Sequence, residues 1–296
     1  MYNTTDPEEF RLPIRDTLLD VFKFLWTARR DLLLMAAIPV VGLTIYQVVM
    51  TDLLGVIDPA APAVGGAPAT FSDVVILYLP SLVLYIMFAV AWHRRYLMRG
   101  ESSAVWSALR WDPRKLKFLW HFLLIAMIAG AVVAVPIVML TIFGVVLNFA
   151  AAAAATATEV SPPVDVNTLS SVIGVAAGIM TMIVYLRLSL WLPATAVDAP
   201  FSLLESWRLG RGNSLRIFIV ACGAEIGLWV FAMILSFVFG SLPTSIITVH
   251  LIVALIENTL AYAVLAAGIA AISICYERLL ARIANDPMYS GMPFMD

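Results

Sequence analysis

The fold class this sequence predicts is all-α: a polytopic membrane protein with six transmembrane helices. Three observations predict it. Hydrophobic residues make up 62% of the 296 positions and charged residues only 13%, against about half and about a quarter in soluble domains. The apolar residues gather into runs long enough to cross a bilayer. All 18 Lys and Arg residues fall in alternate intervals around those runs.

Crossing about 30 Å of hydrocarbon at about 1.5 Å per residue takes roughly 20 apolar residues. Such runs lie near 32–50, 74–92, 118–149, 169–193, 217–239 and 246–274. The third is the longest, running from Phe118 toward Ala155, and it is read as one helix bent at Pro136. Dividing it in two would send Arg208, Arg211 and Arg216 to the other side of the membrane.

Charge fixes the expected orientation. Lys and Arg occur before residue 31, between Arg94 and Lys117, between Arg187 and Arg216, and at Arg278 and Arg282. The alternate intervals hold Asp52, Asp58 and Asp73, then Glu159 and Asp165, and 240–246 is uncharged. The positive-inside rule puts the basic loops and both termini in the cytoplasm. Trp26, Trp92, Trp106, Trp111, Trp120, Trp191 and Trp207 all fall near that face, where an indole keeps its ring apolar and its N–H wet. Only Trp229 lies well inside a span. The first apolar run is too long for a signal-peptide core of about 7–15 residues, so no cleaved leader is expected.

The chain reads as one membrane domain with three repeated units, 14–99, 100–199 and 200–284, between polar tails 1–13 and 285–296. Each unit opens on an aromatic and basic segment, as in "TLLDVFKFLWTARRDLLLM", "SAVWSALRWDPRKLKFLW" and "SLLESWRLGRGNSLRIFIV", then crosses and returns. The openings are expected to be interfacial amphipathic helices; in the first, Leu18, Leu19, Phe22, Leu25 and Trp26 recur at helical spacing. Ala126, Gly130 and Ala134, Gly174 and Gly178, Gly223 and Gly227, and Ala263, Ala267 and Ala271 form small-residue rows expected to let helices approach closely.

Soluble catalytic signatures are absent: there is no HExxH, GxSxG or Walker glycine loop. No metal ligand set, cofactor or catalytic residue is expected. Cys222 and Cys275 lie in apolar segments without a CxxC pair, so no disulfide framework is expected. His93, His121 and His250 are scattered and read as interfacial. The candidate site residues are the polar groups within the spans: Glu225, Glu257, Asn258 and Arg187. An ionisable group there costs several kcal/mol and faces protein or water. Counted from opposite ends of the last two runs, Glu225 and Glu257 fall at similar depth and are expected to be neighbours. Arg187 is expected to snorkel to the headgroups or to pair with Glu225. Arg208, Arg211 and Arg216, beside a glycine turn, suit anionic lipid headgroups.

Residues 187–220, "RLSLWLPATAVDAPFSLLESWRLGRGNSLRIFIV", resemble a pattern in six-span bacterial proteins, including the membrane domain of glycerophosphoryl diester phosphodiesterases. The matching positions are Arg187, Pro193, Trp207, Arg208, Gly210 and Gly212. The resemblance implies a bacterial inner-membrane protein. It carries over no catalytic residue, because the phosphodiesterase domain has no counterpart after the sixth span. The expected function is a non-enzymatic scaffold or accessory protein in envelope or lipid homeostasis, partnered by membrane lipids and not by nucleic acid. A small transporter using Glu225 and Glu257, and an intramembrane lipid-acting enzyme, are the alternatives.

Overall fold

A computed structural model describes residues 11–50, 71–98, 110–155, 166–239 and 247–285. Among them every regular element is helical: α1 (Ile14–Thr27), α2 (Arg29–Val48), α3 (Phe71–Leu97), α4 (Pro113–Ala155), α5 (Val166–Ser189), α6 (Trp191–Ala196), α7 (Leu203–Leu209), α8 (Ser214–Phe239) and α9 (Ile247–Asn285). Among the described residues, five stretches are long and apolar enough to cross a membrane: Arg29–Val48, Pro113–Gly144, Gly174–Ala196, Ser214–Phe239 and Ile247–Ala281. The third expected run is indeed one helix of 43 residues carrying Pro136 within it. The opening of the second expected unit, up to residue 109, lies outside the described residues.

The long helices alternate in direction, so the ends rich in Lys and Arg come together. Arg95 Nε meets Asp31 of α2 at 2.7 Å, Arg114 Nε meets Asp198 at 2.5 Å, and Arg94 donates to the Ala196 carbonyl at 3.1 Å. Tyr96 of α3 donates to Glu277 of α9, and Arg278 of α9 holds Asp20 and Thr17 of α1. These bonds tie α1, α2, α3, α4 and α9 at one level, the basic end.

Much of the core sits toward the same end, although α2 and α9 stay buried as far out as Val48 and Ala254. Ile86 to His93 of α3, Ile269 to Tyr276 of α9, and Ile217, Val220, Ala221 and Ala224 of α8 are buried. Farther out, among the described side chains, α8 has no buried residue from Ile226 onward, and in α4 the last is Ala129. In water such faces would be intolerable, but hydrocarbon imposes no penalty on exposed Phe, Ile, Val and Met.

Two expectations are corrected. The small-residue rows do not bring these helices together throughout: a Cβ added at Gly130, Gly174, Gly178 or Gly227 meets nothing within 4 Å. Of these glycines only Gly223 is in close contact, with Leu18 of α1 at 3.2 Å from that added Cβ, while Ala267 and Ala271 of α9 are fully buried. Helix α1 is also more than a one-sided amphipath. Thr17, Val21 and Ala28 are buried against the bundle, while Leu19, Phe22 and Trp26 (71% exposed) form a second apolar stripe flanked by Arg15, Lys23 and Arg30.

Candidate functional site

Helix α9 carries a stripe of residues, most of them polar, along one face. Asn258, Tyr262, Ala266, Ser273 and Glu277 follow at steps of four, four, seven and four, the spacing of one helical stripe. The stripe spans twenty residues, whose nineteen steps at about 1.5 Å each make about 28 Å, and nearly matches a bilayer core of about 30 Å. Helices α2 and α3 pack along it and answer its groups at successive levels.

At the far end, Asn258 Nδ2 donates to Thr44 Oγ1 and Gln47 Oε1 of α2, both at 3.3 Å, and to its own Ala254 carbonyl at 2.9 Å. One turn nearer the basic end, the Tyr262 ring lies between Tyr85 and Phe88 of α3, at centroid distances of 5.1 and 5.0 Å. Next, Trp92 Nε1 donates to the Ala266 carbonyl at 3.0 Å, and Phe88 stacks on Trp92. Then His93 Nδ1 and Ser273 Oγ share a hydrogen bond of 2.7 Å, with His93 only 2% exposed. Tyr96 and Glu277 close the series at the basic end. A buried polar atom is stabilising only when partnered, and all of these are partnered except one. The Tyr262 hydroxyl has no hydrogen-bond partner among the described residues.

This seam brings together Thr44, Gln47, Tyr85, Tyr262 and Ser273, none of them an expected site residue, with Trp92 and His93, which the sequence assigned to the interface. The signal was present in the four-residue spacing along the last apolar run. His93 and His121 are both buried within the protein. His121 is buried, bonded to Thr195 at 2.8 Å and stacked on Trp191 at 3.6 Å.

Of the expected site residues, Asn258 belongs to the seam. Glu225 lies at another interface, where its carboxyl presses against Gly268 of α9 and Trp229 hydrogen-bonds to it. Trp229, the one tryptophan expected deep in a span, is thereby accounted for. Glu257 lies eleven residues from Gly268 along α9, about 16 Å of helix rise, and is exposed. The two carboxyls are therefore not neighbours. Counting Glu257 from the outer start of its run assumed that both helices begin level, whereas the described α9 has 39 residues to the 26 of α8.

Arg187 makes no ion pair with Glu225 among the described residues. Its Nε donates to the Trp207 carbonyl at 2.6 Å, and its guanidinium lies 4.0 Å over the Trp207 ring. Ser206 donates back to the Arg187 and Leu188 carbonyls at 2.9 and 3.0 Å. Helix α7 is thus clamped against the end of α5, and a Ser202–Glu205 capping box starts it. Gly212, at φ 76°, turns the chain into α8. Asn213 is buried there and accepts from the Leu12 N–H at 2.7 Å, while Arg216 donates to the Leu12 carbonyl at 2.9 Å. Arg208 and Arg211 are exposed, and neither makes an ion pair among the described residues.

Among the described residues no group of His, Cys, Asp and Glu has a metal-holding arrangement. Compared with known proteins, the chain matches no family model, no curated protein and no solved structure.

Proposed function

We propose that this is a non-enzymatic accessory or scaffold protein of a bacterial inner membrane, working in envelope or lipid homeostasis through anionic lipid headgroups at its basic end. In this reading the chain has six spans in three repeated units, α3 supplying the sixth span, and both termini are cytoplasmic. The observation that carries it is the α7–α8 turn. Arg208 and Arg211 stand exposed without carboxylate partners beside Trp207, which is 39% exposed and held by Arg187. Tryptophan at the headgroup level and arginine facing anionic lipid are each favourable, the arginine by about 1 kcal/mol. Arg216 contributes to the field but is engaged with the Leu12 carbonyl.

The test is the thermal stability of the purified protein in nanodiscs of phosphatidylcholine with and without phosphatidylglycerol. A lipid that binds the folded state raises its melting temperature. The wild type is expected to gain from phosphatidylglycerol, and the Arg208→Gln, Arg211→Gln double variant to lose most of that gain, on the order of 2 kcal/mol at about 1 kcal/mol per arginine. An equal gain in both proteins would contradict a headgroup role for this turn.

A further inference from the structure

We propose that Tyr262 marks a small polar site inside the bundle, at which a hydrogen-bond acceptor oxygen from water or from a lipid ester carbonyl takes up the Tyr262 hydroxyl. The side chain is 1% exposed, and its hydroxyl is the one buried side-chain polar atom without a partner among the described residues. A hydroxyl left dry in an apolar interior is costly, so this position calls for an acceptor.

The direction from which it comes follows from the neighbours. Toward the basic end the next acceptor on the stripe, the Ala266 carbonyl, already receives Trp92 Nε1, and Phe88 and Trp92 fill the space beside it. Toward the far end stands Asn258, one turn away on the same face. Its amide nitrogen is committed to Thr44, Gln47 and Ala254, so its Oδ1 is the atom left to accept. A water there accepts from the Tyr262 hydroxyl and donates to Oδ1, whereas an ester carbonyl, which carries no proton, only accepts from the hydroxyl. Tyr85, half-buried across the α3–α9 interface with its ring 5.1 Å from that of Tyr262, offers a second hydroxyl. Two to four polar partners is the ordinary complement of a buried water.

The experiment uses the full-length protein and its Tyr262→Phe variant, melted in lipid-depleted micelles and again after phosphatidylglycerol is restored. Radiolytic hydroxyl-radical labelling of Tyr262, read by mass spectrometry, runs in parallel. Phe keeps the ring and its packing, so only the hydroxyl is tested. The expected result is a melting temperature lower by a few degrees in the variant. A loss already present without lipid, with Tyr262 oxidised despite its burial, assigns the acceptor to water. A loss that appears only with lipid assigns it to the ester carbonyl. An unchanged or higher melting temperature in both conditions would overturn the proposal, because deleting an unpaired hydroxyl is neutral or favourable. A loss without lipid and without labelling would also overturn it, by placing the acceptor on the protein itself.

Discussion

Gly210 is small because Arg187 occupies the space a side chain would need. A Cβ there would come within 2.6 Å of Arg187 Cγ, and that arginine cannot swing aside without giving up the Trp207 carbonyl and ring. Gly210→Ala is therefore expected to cost about 1–3 kcal/mol, as overpacking does, and Arg187→Lys to cost nearly as much, since an ammonium neither stacks on the indole nor donates from Nε. Denaturant or thermal melts in detergent check both, and a neutral Gly210→Ala would show that α7 is not clamped as described. The importance of Arg187, Trp207 and Gly210 was legible in the sequence as a pattern. Their joint purpose was not, because it depends on α7 folding back over the end of α5, a contact between residues about twenty positions apart that no periodicity records. Glu225 and Asn258 were likewise legible as polar residues in apolar runs, while Gly268 and Thr44, their counterparts, carry no signal of their own.

Helix α1 owes its place to contacts with the far end of the chain. Leu18 lies against Gly223 of α8, Val21 is fully buried, and Asn213, Arg216 and Arg278 bind its approach and its polar edge. Its amphipathic spacing was readable, but not which of its two apolar faces would meet protein, since both carry large side chains. Gly223→Ile should push Leu18 out and loosen α1 without removing any span. Amide exchange across 14–27 is expected to rise at least several-fold, and Leu18→Ala in the same chain to restore much of the protection, the signature of two coupled neighbours. Exchange unchanged by Gly223→Ile would mean that α1 is held by its hydrogen bonds alone.

At the scale of the whole molecule, burial and charge are polarised together. The basic end holds much of the buried core and the ion pairs Arg95–Asp31, Arg114–Asp198 and Arg278–Asp20. The far halves of α4 and α8 present Met139, Phe143, Phe149, Met233 and Phe237 outward. Segregation of Lys and Arg made this polarity visible before any coordinates, because a bilayer sorts charge by loop regardless of tertiary detail. Helix register, such as the shift that separates Glu225 from Glu257, had to come from packing. The central claim is that the basic end faces the cytoplasm as a headgroup-contacting platform. Single cysteines placed by Gly65→Cys, Ser103→Cys, Ser161→Cys and Arg211→Cys, in a chain with Cys222 and Cys275 replaced, test it directly with a membrane-impermeant maleimide on intact cells. Labelling at 65 and 161, with 103 and 211 reached only after permeabilisation, is the predicted result; labelling of 211 in intact cells would contradict it.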